Sequence, residues 1–148
     1  SEHHQYAAYD YQKEIQPMRG RCLPIENLLR EAYYNTIDDS TVEETMMLCI
    51  KPSGADYFYV MDICRYASTG WPRVVYDDPA KQTIEAPVHQ WSTKLQRLEI
   101  HIDERLLFGL LTGMYNWNTA EVGSHFRCKR VPDVYDRSVY EFLWRFKV

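Results

Sequence analysis

Glu99, His101 and Asp103 stand two residues apart in LQRLEIHID, residues 95–103. In an extended chain alternate side chains share a face, so two carboxylates would flank one imidazole at intervals of about 7 Å. A carboxylate beside an imidazole orients it and raises its basicity, as general acid–base work requires. A second strand adding ligands could complete a divalent-metal site. These three residues are therefore the catalytic candidates of a small enzyme, and convergence of His89 on His101 would strengthen that reading. The same alternation is also how an antiparallel sheet meets water. That explanation outweighs the chemical one, so the expectation is no favoured catalytic site, no metal and no cofactor.

A second candidate is GSHFRC, residues 123–128. His125 and Cys128 are three apart, and a regular strand would send them to opposite faces. They then cannot share an ion, and Cys128 reads as a core thiol. Cys22, Cys49 and Cys64 complete the set, with no CxxC pair among them. Cys49 and Cys64 sit among apolar residues and also read as buried thiols. This usage favours a reducing compartment, cytoplasmic in expectation. There is no glycine-rich phosphate loop, nucleophile elbow, HExxH pair or EF-hand spacing.

The elements that would carry these groups follow from periodicity. Pro24 suits a first helical turn, and Ile25, Leu28, Leu29 and Ala32 repeat as one buried stripe. TMMLCI, residues 45–50, has the length of a strand, and KPSG after it makes a turn with Pro52 second and Gly54 last. Over residues 55–68, Tyr57, Val60, Met61, Cys64 and Ala67 fit a helical stripe. Residues 69–90 form a long connection broken by TGWP, DDP and EAPV, with a short extended piece from Trp71-Pro72 to Tyr76; such loops tend to be functional or to cover a surface. Leu98, Ile100 and Ile102 alternate with the polar candidates. Asp103 then serves as N-cap to a helix carrying Leu106, Leu107, Leu110, Leu111 and Met114. From Val122 to Arg130, and again from Tyr140 to Val148, apolar residues recur every second position. An antiparallel hairpin over 121–148 would set Phe126 opposite Trp144, Cys128 opposite Phe142 and Lys129 opposite Glu141. Its outer face would gather His125, Arg127, Arg145 and Lys147 into a small basic patch for a phosphate or an acidic partner, such as the region of residues 38–44.

The expected fold is α+β: an antiparallel sheet of about four to six strands, two or three helices packed on one face, and a C-terminal β-hairpin. An N-terminal arm, residues 1–20, precedes a single domain over 21–148.

With 148 residues, 45% hydrophobic and 26% charged, the chain has the composition of a globular protein with a real core. Its net charge of −4 argues against generic nucleic-acid binding. No apolar run approaches the length of a membrane helix, and none of these residues reads as a secretory signal, with removal of an upstream targeting segment left open; contact with a membrane surface stays open. Charge is uneven: residues 26–62 hold eight acids against Arg30 and Lys51, and residues 119–148 hold six bases against four acids. Such asymmetry can orient a partner or a second copy. The 12 tyrosines suit interfaces as well as a core. Tyr6, Tyr9 and Tyr11 cluster in the arm, and Trp71 and Trp117 fall in loop contexts. Together these residues point to a non-catalytic protein-interaction or assembly domain, self-associating or part of a larger complex, whose aromatic residues dock into a neighbour's apolar groove. A small-ligand binder lined by the tyrosine-rich faces is a further alternative. The order of strand, PSG turn, helix and further strands over residues 46–70 resembles matrix proteins of negative-strand RNA viruses, which implies a viral assembly protein as one example of this class.

Overall fold

A computed structural model describes residues 24–67, 70–81 and 84–148. Tyr6, Tyr9, Tyr11 and the rest of the proposed arm lie outside them.

The first helix, α1 (Ile25–Ile37), forms where the stripe predicts, burying Leu28, Leu29, Ala32, Tyr33 and Thr36. Strand β1 (Met47–Pro52) follows. The turn after it sits one residue later than KPSG suggests: Ala55 N–H donates to the Pro52 carbonyl at 3.0 Å, and Gly54 takes φ +80°. A left-handed φ at the third turn position is what glycine supplies. The turn returns the chain as β2 (Tyr57–Asp62), antiparallel to β1.

The helix expected over residues 55–68 is thus a strand in its first half. Val60 and Met61 are both fully buried, with Phe58 and Tyr59 nearly so. A strand covered on both faces is apolar at every position, which hides its period of two.

Strand β3 (Arg73–Tyr76) pairs antiparallel with β2. The chain then crosses the sheet and enters β4 (Arg97–Ile102), which runs parallel to β1. Strand β5 (Arg127–Val131) closes the far edge, antiparallel to β4. The sheet order is β3-β2-β1-β4-β5. It is a mixed sheet, where a purely antiparallel one was expected, because β1 and β4 are neighbours joined by a long crossover.

The β4 side chains alternate as predicted, and α2 (Glu104–Leu111) begins where Asp103 caps it by accepting from the Arg105 N–H. Asn116 caps α3 (Trp117–Val122) and Asp136 caps α4 (Arg137–Arg145). The C-terminal hairpin does not form: β5 pairs with β4, and residues 137–145 are helical. Val139, Phe142, Leu143 and Phe146 lie at i, i+3, i+4 and i+7, and all four are buried. In YEFLWRFKV this helical stripe competes with the alternation, and the Asp136 cap decides for helix.

One face of the sheet (Leu48, Ile50, Tyr59, Met61, Leu98, Ile100, Ile102) packs with residues of α1, α2, α3 and α4 in the main core. On the opposite face Cys49, Phe58, Val60 and Val75 form a second cluster, capped by Val88 with Trp91 and Met47 at its border. The crossover therefore covers a surface. It is fixed there by the Arg73–Glu85 ion pair and by Arg97, and is braced internally by Trp91 Nε1 donating to the Ala86 carbonyl at 2.7 Å.

Candidate functional site

Of the residues singled out for chemistry, Glu99, His101 and Arg127 lie on the second face. Registers place Met47, Cys49 and Lys51 of β1 beside Arg97, Glu99 and His101 of β4. Arg127, Lys129 and Val131 of β5 lie opposite the same β4 residues. Directly paired residues point to the same side of a sheet, so these nine share one face.

Each member of the 99–101–103 set has a separate partner. Glu99 is 8% exposed and Arg97 6%, and Arg97 Nε donates to Glu99 Oε2 at 2.9 Å. Arg97 Nη1 also donates to the carbonyls of Ser92 at 3.1 Å and Leu95 at 3.0 Å, closing the crossover over the strand. Beneath this pair the Cys49 thiol is pushed up by burial and then by the Glu99 charge, which keeps it protonated. Asp103 caps α2 and takes a bidentate pair from Arg105. The Arg105 hydrogen bonds hold its carboxyl below the usual range against a smaller opposing effect of burial. His101 meets the Phe58 ring edge-on, centroids 5.6 Å apart. Burial first, then the charges of Arg127 and Lys51, lower its pKa below 6.5, so the imidazole is neutral at pH 7. Among the described residues no three His, Cys, Asp or Glu side chains are grouped as for a metal ion.

Lys51, missed in the sequence, is the other notable member of the face. Its Nζ pairs with Asp77 and lies 5.3 Å from the Phe58 ring centroid. No local pattern marks it; only the parallel β1–β4 register brings it beside His101.

The expected basic patch is dispersed over several elements. His125 lies in the connection after α3, Arg127 on β5, Arg145 in the last turn of α4 and Lys147 in the tail. The hairpin face that was to gather them is absent. Cys128 is a second correction with the same cause: it pairs with Ile100, on the helix side of the sheet, but stands on the edge strand β5 and is exposed.

The two tryptophans part company. Trp117 is 2% exposed, its Nε1 donating to the Phe146 carbonyl at 2.7 Å and its ring edge-on to Phe126. It is a core plug and offers nothing to a partner, a correction of the loop-anchor expectation. The Asn116 cap, which turns MYNWNTA into a helix start, was the missed signal. Trp71 is 43% exposed and meets Tyr34, 54% exposed, in an edge-to-face pair with centroids 4.4 Å apart. Tyr34 was also missed, although it falls outside the α1 stripe and so had to face solvent.

A small cleft of about 80 Å³ opens between the start of β4, the end of β5 and the first turn of α4. Met46, Leu98, Val131, Pro132, Val139 and Tyr140 provide its apolar lining. Tyr135, 58% exposed, stacks on Tyr140 with Arg130 6.0 Å from its ring centroid. An adjoining groove that includes Glu43 and Glu44 shares Met46, Gln96 and Asp136 with it.

No protein-family model and no curated protein matches the chain. Among solved structures it is similar to the solution structure of a conserved hypothetical protein from Thermus thermophilus, described as possibly a sterol carrier protein. That likeness has a TM-score of 0.40 and 16% identity, and it spans 82% of this chain and 80% of the other. At that level it carries no argument about fold or function. Among the described residues no helix is long and apolar enough to cross a membrane.

Proposed function

We propose that the chain is a non-catalytic interaction domain that works by docking aromatic side chains on a protein partner. The observation that carries this reading is the Tyr34–Trp71 pair. Two large rings stand together in water, whereas the apolar clusters on both faces of the sheet are covered. Exposed, mutually braced aromatic rings bring apolar area to an interface at little cost in side-chain entropy.

The state of the catalytic candidates supports the same reading. Glu99 is bound to Arg97, Asp103 to Arg105 and the start of α2, and His101 is set against Phe58. The cleft beside α4 offers the complementary feature: an apolar floor with an acidic groove at one end. A second copy of the chain is the partner that the molecule itself supplies, with the uneven charge setting orientation. The aromatic residues Tyr6, Tyr9 and Tyr11 would add to the contact.

The test is the double substitution Tyr34→Ala with Trp71→Ala. Light scattering over a concentration series should show lower mass than for the parent chain, at an unchanged unfolding temperature. Equal masses at every concentration, with equal capture of any partner, would refute the role of this surface.

A further inference from the structure

We propose that Lys51, His101 and Arg127 form a binding site for a small oxyanion of phosphate type, independent of the aromatic surface. Three strands bring these side chains together. Lys51 of β1 is in register with His101 of β4, and His101 with Arg127 of β5. Neighbouring strands lie about 5 Å apart, so three hydrogen-bond donors stand in one row on one side of the sheet. The crossover covers the adjoining row but leaves this end open: Phe58 and Cys49 are buried, His101 is half-buried and Arg127 is exposed.

The row is cationic beyond what its neighbours balance. Asp77 meets Lys51, and Glu99, the nearest acid on β4, is engaged by Arg97. Among the described residues no carboxylate is paired with Arg127. The Asp77 carboxylate on Lys51 already shows an oxyanion sitting at one end of the row. An incoming oxyanion would lie between Lys51 and Arg127, with the Phe58 edge fixing the imidazole against it. The His101 pKa is lowered first by burial and then by Arg127 and Lys51, so both cationic charges act on the imidazole. A bound dianion reverses that repulsion, so binding must raise the His101 pKa.

Free phosphate and a lipid phosphomonoester headgroup share this chemistry, and two arms of one experiment separate them. In the first, His101 is titrated by NMR in the full chain with inorganic phosphate or with chloride at equal ionic strength. In the second, flotation is measured with phosphatidylcholine vesicles, with and without phosphatidic acid. Arg127→Gln should weaken phosphate binding about tenfold, as loss of a charge-assisted bidentate contact does. Lys129→Gln, the cation one position along the same face, should change it little. A phosphate-dependent rise of the His101 pKa without flotation identifies a free anion. Flotation that needs phosphatidic acid, and that is lost in Arg127→Gln, identifies a headgroup. The proposal is overturned if His101 ignores phosphate and the vesicles do not bind, or if Arg127→Gln and Lys129→Gln act alike.

Discussion

Replacing Arg97 with Met should unfold the protein more readily than almost any other single change outside the main core. Arg97 is 6% exposed and its guanidinium makes three hydrogen bonds: to Glu99 at 2.9 Å, the Ser92 carbonyl at 3.1 Å and the Leu95 carbonyl at 3.0 Å. The substitution leaves the Glu99 carboxylate buried and uncompensated, a change that costs about 3–5 kcal/mol. The two carbonyls lie toward the surface and can turn to water, so they add little. For a chain of this size the loss corresponds to a fall in Tm of about 8–16 °C. Glu99→Met is milder, about 2 kcal/mol, because Arg97 keeps both carbonyls and part of its solvation. The double substitution Arg97→Met with Glu99→Met removes both charges and should be no worse than Arg97→Met alone, giving a coupling of about 2 kcal/mol or more. Urea unfolding followed by tryptophan fluorescence measures all four corners of the cycle. An Arg97→Met cost below about 1 kcal/mol, or strict additivity in the double variant, would show that Arg97 does not compensate the buried Glu99 charge.

Three other predictions test separate parts of the account. Trp117→Phe keeps the ring in the core but strands the Phe146 carbonyl, which the indole N–H reaches at 2.7 Å; it should cost about 1–3 kcal/mol in denaturant unfolding. Asp103→Ala removes the α2 cap and should cost about 1 kcal/mol at neutral pH. Its folded-state pKa is depressed, so this contribution is present above the ordinary aspartate value of 3.8 and is lost as pH falls through the lower folded value; Asp103→Ala should therefore be less sensitive to acid than the parent. His101 is a base with a depressed folded pKa, so the unfolded chain binds its proton first. Stability should decline as pH falls below 6.5 and level off beneath the folded pKa, and His101→Gln should flatten that part of the stability profile.

Local patterns carried the parts of this fold that one element decides alone. The α1 stripe, the β4 alternation and the Asp103 cap were all legible, because each rests on side chains within a few residues of one another. Strand β2 misled because cover on both faces removed its alternation. Residues 139–146 satisfy periods of both two and 3.6, and the arbiter, Asp136, lay in a segment that reads equally well as a turn. Loss of the hairpin then carried the basic patch with it. The parallel pairing of β1 and β4 joins residues fifty positions apart, and no local signal encodes it. The Lys51–His101–Arg127 row depends on that pairing, which is why the sequence supplied His101 and Arg127 in different proposals and Lys51 in none.

Hydrogen–deuterium exchange of the chain, compared between dilute and concentrated solution, tests most directly whether the molecule acts through its exposed rings. The account predicts added protection at high concentration around Tyr34 and the backbone flanking Trp71, removed by Tyr34→Ala with Trp71→Ala. Identical exchange at both concentrations, together with a monomer mass throughout and no partner retained, would contradict it.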